Sequence, residues 1–233
     1  MTEKKQIQSI VPRSVGIIMD GNRRWAKSKG ILTLEGHRVG YQKLREVLLW
    51  CKEFGVANVM VYAFSTENWN RAKVEVSYLM DLFRFIIKEM IALSLEIDMR
   101  LIFLGERSRL DEDIIAIVND AEEKTRHCKT LTLGIALSYS GRSEIIDAIH
   151  RIPKDHIGQI TEDEFSALLW THEIPDPDFI IRTSGEERLS NFLPWQSTYS
   201  ELFFTKTLWP DFTREEFKRI LDEYAQRQRR FGI

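Results

Sequence analysis

At 233 residues, 43% apolar and 29% charged with a formal net charge of −2, the chain has the size of one large α/β domain. Its overall field is too balanced to recruit nucleic acid or anionic lipid, so any anion recognition must be local. Two cysteines, Cys51 and Cys128, lie far apart without CxxC spacing, which argues against a disulfide framework or a zinc site and fits a reducing compartment. Residues 1–12 are polar and carry no h-region, residues 1–13 read as a flexible lead-in, and no stretch reaches the ~18 apolar residues of a membrane span. The expectation is one domain over residues 1–233, soluble and cytoplasmic, with surface contact with membrane left open.

The first predicted strand, residues 15–20, is an apolar run that ends in Asp20. Gly21 permits a tight reversal, Asn22 is a candidate cap, and Arg23 and Arg24 open a basic helix start whose backbone N–H groups would face an anion. An Asp at that place can hold Mg2+ against a phosphate; an ordinary capped turn is the plainer alternative. A helix over residues 36–54 leads to a strand at 58–64, which runs into the polar loop Ser65, Thr66, Glu67, Asn68, Trp69, Asn70 and Arg71. The helix over 73–95 has an apolar stripe wider than one packed face needs, fitting either core or a groove for a hydrocarbon chain or a second subunit. Strands at 99–104, 131–139, 179–182 and 202–205 follow, with helices at 108–126, 142–151, 162–169 (capped at Thr161) and 213–229. Six strands separated by helices imply a single α/β domain with a six-stranded, mostly parallel central sheet flanked by helices.

In such sheets the site lies beyond the carboxyl ends of the strands. The polar loops there, at Asp20, Ser65–Arg71, Ser140–Arg142 and Arg182–Glu186, would converge, although each alone reads as turn and cap chemistry with surface cations. There is no Walker loop, no GxGxxG fingerprint and no DDxxD box. Asp20 as a phosphoryl-accepting nucleophile finds little support, because the second Asp of that chemistry is replaced by Asn22.

Taken in order, several blocks resemble one family, the cis-prenyltransferases of the undecaprenyl diphosphate synthase type, nearly end to end. They are Met19-Asp20-Gly21-Asn22 with Arg24-Trp25-Ala26; Gly36-His37 with Gly40; Tyr62-Ala63-Phe64-Ser65 with Glu67-Asn68-Trp69 and Arg71; and Tyr139 with Gly141-Arg142. The pattern continues through Asp178 to Arg182, Ser184-Gly185-Glu186 with Arg188, Ser190-Asn191-Phe192 with Trp195-Gln196, Tyr199 with Glu201-Leu202, and Trp209-Pro210-Asp211-Phe212. The resemblance implies condensation of an allylic diphosphate, such as farnesyl diphosphate, with isopentenyl diphosphate, with release of pyrophosphate.

By the same resemblance Asp20, Gly21, Asn22, Arg23, Arg24 and Trp25 form the allylic diphosphate cradle, with His37 and Arg71 nearby and Ser65, Thr66, Glu67 and Trp69 among the substrate contacts. Arg182, Arg188 and Ser190 clamp the second diphosphate, Asp20 and Glu201 are the Mg2+ carboxylates, and Asn68 stands where a role in proton removal is assigned. A neutral amide is a poor base, so orientation of substrate is the expected role. Arg23 stands where glycine is common, Thr33 where a cation is, and Glu187 where a histidine is frequent; one cation replacing the other is the expected compensation. The tail Arg230-Phe231-Gly232 implies a homodimer in which Arg230 reaches the neighbouring site, although arginines at a helix end also complement its dipole.

An apolar tunnel is expected beside the sheet, between the 73–95 helix, the helix near Arg38 and the strand around residues 135–137, with Phe83, Phe85 and Ile87 closing or lining it. Peripheral membrane contact for release of a long product would follow. A non-catalytic partner subunit of this fold, or a synthase of shorter chains, are the alternatives. A scaffold has no need of Asp20, Asn68, Arg182, Arg188 and Glu201, which as loop residues would be lost at little cost in stability.

Overall fold

The computed structural model describes residues 11–227. Its six strands are β1 (Ser14–Ile18), β2 (Asn58–Ser65), β3 (Met99–Leu104), β4 (Leu131–Tyr139), β5 (Phe179–Arg182) and β6 (Glu201–Phe204). The helices are α1 (Asn22–Ser28), α2 (Thr33–Phe54), α3 (Lys73–Ile97), α4 (Glu112–Thr125), α5 (Gly141–Arg151), α6 (Glu162–Ser166) and α7 (Arg214–Gln226). The sheet order is β3-β4-β2-β1-β5-β6, and every pairing is parallel, not merely most of them.

Alternation along the strands divides the core between two faces. Val15, Ile17, Val59, Val61, Leu133, Leu137, Phe179 and Ile181 point toward α2, α3, α4 and α7. Met60, Ala136, Tyr139 and Ile180 point the other way, where Phe192 and Leu193 cover them. The chain leaves β1 toward β2 on one side and later returns to β5 on the other. The crevice between the carboxyl ends of β1 and β5 is therefore the topological switch point, and Ile18 is in register with Arg182 there.

Element boundaries differ from the sequence reading where capping outweighs periodicity. α4 starts at Glu112 and not at 108, because Arg107–Arg109 forms its own 3-10 turn and Asp111 takes the N-cap. α6 stops at Ser166, although its capping box of Thr161 and Glu164 forms as expected. α7 starts after Thr213, whose hydroxyl accepts from Glu216 N at 3.2 Å.

Asn22 is not the cap of α1: Gly21, at φ +115°, holds that position, and Asn22 is the first helical residue. Its side chain instead lies against α2. A Cβ on Gly40 would stand 2.4 Å from Asn22 Oδ1, and one on Gly36 would stand 2.3 Å from the Asn22 carbonyl oxygen. Gly36→Ala meets backbone that cannot swing aside, so it is expected to cost about 1–3 kcal/mol, read as a lower urea midpoint. Gly40→Ala meets a movable amide and should cost less; equal costs for the two would contradict this account of the α1–α2 contact.

Candidate active site

One cavity of about 990 Å³ opens at the carboxyl ends of β1, β2 and β5 and runs down between α2, α3 and the sheet. Its mouth is polar. Asp20 and Gly21 line it from the β1–α1 turn, Asn22, Arg23 and Arg24 from the start of α1, His37 from α2, and Ser65, Glu67, Asn68 and Arg71 from the end of β2 and the turn after it. Arg182 and Ser190 line it from β5 and the turn beyond. Deeper down the walls turn apolar, with Leu44 from α2, Leu79, Leu82, Phe83, Ile86, Ile87 and Met90 from α3, and Ile135 and Leu137 from β4. Part of the wide apolar stripe of α3 is thus cavity wall, in the place expected for a tunnel. Phe85 is the exception, 53% exposed on the outer side of α3.

At the mouth carboxylates and guanidinium groups are paired. Arg182 is 4% exposed, so it is neither a surface cation nor a side chain that could be lost without cost. It donates to Asp20 Oδ2 at 2.9 Å, to Ser190 Oγ at 2.8 Å and to the Arg188 carbonyl at 2.5 Å. Arg24 lies 3.6 Å from Asp20 Oδ1, donates to the Ser184 carbonyl at 3.1 Å, and lies 3.7 Å from Glu186, which also bonds Arg188. Burial of Asp20 pushes its pKa up, but hydrogen bonds from Arg182 and Ser184 and the charges of Arg182 and Arg24 outweigh it, leaving the carboxyl below its ordinary value and ionised. Glu75, which the sequence reading missed, lies 3.0 Å from Arg71 and 3.6 Å from Arg23.

His37 is held neutral: burial first, then the charges of Arg71 and Arg23 against the opposing Glu75, lower its pKa from 6.5 to about 4. Its Nε2 is buried without a hydrogen-bond partner among the described residues. Because the folded pKa lies below the unfolded one, the stability this group contributes is complete above 6.5 and is lost as pH falls from 6.5 toward 4. A diphosphate at the mouth would favour the imidazolium and raise that pKa. A histidine NMR titration with and without inorganic diphosphate checks this, and an unmoved His37 midpoint would place the anion elsewhere.

Asn68 Oδ1 accepts from Ser65 N at 3.2 Å, within the capping box of the 3-10 turn Thr66–Asn70. One lone pair of its oxygen is thus engaged, and a neutral amide that offers a ligand N–H donors and the remaining lone pair suits orientation rather than proton abstraction.

Not all of the predicted residues meet. Trp25 does not line the cavity; its Nε1 donates to Asp211 Oδ1 at 2.8 Å and so ties α1 to the 3-10 turn Trp209–Asp211. Trp69 is turned away likewise, donating to Ser138 Oγ at 3.0 Å, and Thr66 is not on the cavity wall. Arg188 is beside the mouth, bonded to Glu186 and not lining it. Glu201 is placed at the wrong end for a shared ion: it starts β6 in register with Phe179 and hence Val15, whereas Asp20 lies beyond Ile18 at the far end of β1. That is about 16 Å along the strands at ~3.3 Å per residue. Its carboxylate bonds Arg227 instead. Within one chain, Asp20 and Glu201 cannot share an ion. Arg230 lies outside the described residues. Glu187 is exposed and off the cavity wall, so it does not repel an anion there, whereas Arg23 and Thr33 both line it.

The structure also adds Lys27, one turn beyond Arg23 and Arg24 on α1, as well as Tyr62, Asn191 and Trp209. The helical spacing of Lys27 was the available signal for it. Trp209 is fully buried and donates from Nε1 to the Gly40 carbonyl at 2.8 Å, and its backbone N donates to the Asp20 carbonyl at 3.1 Å, bracing the β1–α1 turn from below.

Comparison with known proteins agrees with this geometry. Residues 18–232 match the family model described as "Putative undecaprenyl diphosphate synthase". An isoprenyl transferase of Thermotoga maritima is 47% identical over 227 residues, covering 95% of this chain and 97% of that protein. Lavandulyl diphosphate synthase from Lavandula x intermedia, solved in complex with dimethylallyl diphosphate, superposes with a TM-score of 0.90 at 32% identity, covering 96% of this chain and 99% of that one. A probable undecaprenyl diphosphate synthase from Campylobacter jejuni gives 0.82 at 33% identity, covering 95% and 99%. With a guanidinium-lined mouth above an apolar chamber and relatives matched over nearly their whole length, the chain belongs to the undecaprenyl diphosphate synthase family of prenyltransferases.

Proposed function

We propose that this chain condenses isopentenyl diphosphate with an allylic diphosphate, farnesyl diphosphate being the expected primer, and repeats the step to a long cis-polyprenyl diphosphate of the undecaprenyl kind. The observation that carries this reading is the single cavity that joins an arginine-lined mouth to a long apolar wall. At about 990 Å³ it lies at the upper end of ordinary ligand sites, which suits a hydrocarbon chain rather than a small polar metabolite.

In the reaction the allylic C1–O bond breaks, C4 of isopentenyl diphosphate bonds to that C1, and a proton leaves its C2. Negative charge grows on the departing diphosphate, so donors fixed before it arrives stabilise the transition state more than the ground state. Arg23, Arg24 and His37 would hold the allylic diphosphate, and Arg182 and Ser190 the second one. The Asn68 amide would orient the isopentenyl group, and the departing diphosphate would take the proton.

Asp20 fits a Mg2+ site: it is an ionised oxygen donor at the cavity mouth, about a third exposed, and Mg2+ is commonly held by one or two carboxylates together with substrate phosphates and water. No cluster of three or more His, Cys, Asp or Glu exists among the described residues, so the remaining ligands would come from diphosphate and water. Bound there, Mg2+ would neutralise charge on the leaving group.

A homodimer and peripheral membrane contact belong to the same proposal. Edge strand β6 leaves Leu202 exposed beside Tyr199, and among the described residues no helix is long and apolar enough to cross a membrane. The deciding experiment is incubation with Mg2+, farnesyl diphosphate and labelled isopentenyl diphosphate, with products sized by chromatography. A ladder ending at a fixed length and abolished by EDTA is expected. No incorporation from farnesyl, geranyl or dimethylallyl diphosphate by folded protein would overturn the proposal and point to a partner subunit.

A further inference from the structure

The turn between β5 and β6 is held in conformations that L residues rarely adopt. Ser190, Asn191 and Leu193 have φ of +50°, +67° and +51°. Such values persist only where the surroundings over-determine them. For most of the turn the restraint is burial: Phe192 and Leu193 are fully buried, and Gln196 Nε2 donates to Glu144 Oε2 at 3.1 Å and to Thr171 Oγ1 at 2.6 Å. Asn191 is restrained differently, by polar bonds at the rim of the cavity.

Asn191 Oδ1 accepts from Arg142 N at 3.0 Å, and its Nδ2 donates to Ser140 Oγ at 2.7 Å and reaches Glu67 Oε1 at 3.5 Å. Its backbone carbonyl accepts from Gly141 N at 2.9 Å. The preceding residue, Ser190, accepts from Arg182 through its hydroxyl, and its carbonyl accepts from the Tyr62 hydroxyl at 3.3 Å. One side chain therefore joins the end of β4, the start of α5 and the turn carrying Asn68 to the residue that holds Arg182. None of the sequence blocks assigned Asn191 a role.

We propose that Asn191 is a positioning residue that fixes the separation between the Arg182–Ser190 half-site and Asn68. Under the two-diphosphate reading, on which this rests, both ends of one substrate depend on that separation: its diphosphate at Arg182 and Ser190, and its reacting carbons at Asn68. The allylic half-site at Arg23, Arg24 and His37 is built from α1 and α2 and makes no contact with this side chain's hydrogen bonds. Loss of the amide should therefore act on one substrate and not on the other.

Asn191→Gly tests this, because glycine tolerates the positive φ and removes only the bridging amide. KM for isopentenyl diphosphate is expected to rise about 10-fold and kcat to fall about 10-fold, as small misplacements of a reacting group do, while KM for farnesyl diphosphate changes less than about 2-fold. Asn191→Asp keeps the shape and the Arg142 bond but sets a carboxylate against Glu67; it should be worse, and Glu67→Gln should restore part of the loss relative to Glu67→Gln alone. Unchanged constants in Asn191→Gly, or both KM values rising together with a lowered Tm, would overturn the proposal. Calorimetric affinity for isopentenyl diphosphate, read without turnover, separates the two ideas. If the native protein binds this substrate but makes no product, the proposed reaction fails, and the Asn191→Gly affinity still decides the role of Asn191. If the native protein does not bind it, both fail.

Discussion

Asp20→Asn is expected to lower kcat by about 10²–10³, the scale of losing one charge-stabilising group at a developing anion, with the KM for farnesyl diphosphate unchanged or reduced. The asymmetry follows from the charges at the mouth. Asp20 is the anion facing both Arg182, at 2.9 Å, and Arg24, at 3.6 Å. Its removal leaves the mouth more positive, so an anionic substrate is held at least as well in the ground state while the proposed Mg2+ ligand is gone. The asparagine oxygen can still accept from Arg182, and Asp20 is about a third exposed, so the stability cost should stay near 1–2 kcal/mol. Steady-state kinetics in Mg2+, with a urea melt on the same sample, checks both halves. A variant with native kcat and a raised KM would make Asp20 a binding residue only and would displace the metal from it.

Arg182→Ala should be the second large effect and should differ in kind. Arg182 is the buried member of its pair, and truncation leaves Ser190 Oγ and the Arg188 carbonyl without their donor and Asp20 facing Arg24 alone. Breaking a buried pair costs about 3–5 kcal/mol when both members are buried; with Asp20 partly exposed, about 2–3 kcal/mol is expected here. Catalytically, kcat/KM for isopentenyl diphosphate should fall about 10²–10³ while binding of the allylic substrate changes little. Arg182→Lys guards against simple misfolding: it keeps the charge but not the planar fork, so it should recover the melt more fully than the rate. Equal losses toward both diphosphates would refute the division of the mouth into two half-sites.

The strands were legible from the sequence because each is an apolar run bounded by turn residues, and a run buried on both faces tolerates little else. The runs at 99–104, 131–139 and 179–182 coincide with β3, β4 and β5. The position of the site was legible for a related reason. Polar loops after β1, β2 and β5 have nowhere to converge except at the carboxyl edge, and parallel pairing of Ile18 with Arg182 brings Asp20 and Arg182 together. Capping was less legible at Asn22: Gly21 takes the N-cap at φ +115°, and the asparagine packs instead against Gly36 and Gly40 on another helix, a contact the local sequence does not encode.

By itself, then, the sequence determined the α/β class, the edge of the sheet that carries the site, and its two central charges, Asp20 and Arg182. The class follows from the order of apolar runs and helical stretches, the edge from where the polar loops of a parallel sheet must meet, and the two charges from the resemblance of their sequence blocks to a known family. Only the tertiary structure decided that Trp25 and Trp69 bond away from the cavity to Asp211 and Ser138, that Phe85 faces outward while Phe83 and Ile87 line the wall, and that Asn191 bridges three turns. It also separated Glu201 from Asp20 within the chain, which the family resemblance had made partners at one Mg2+. The physical reason is common to them: spacing along a chain states which side chains share a face, but which face meets the cavity, and which end of a strand meets which loop, is set by the elements packed against it.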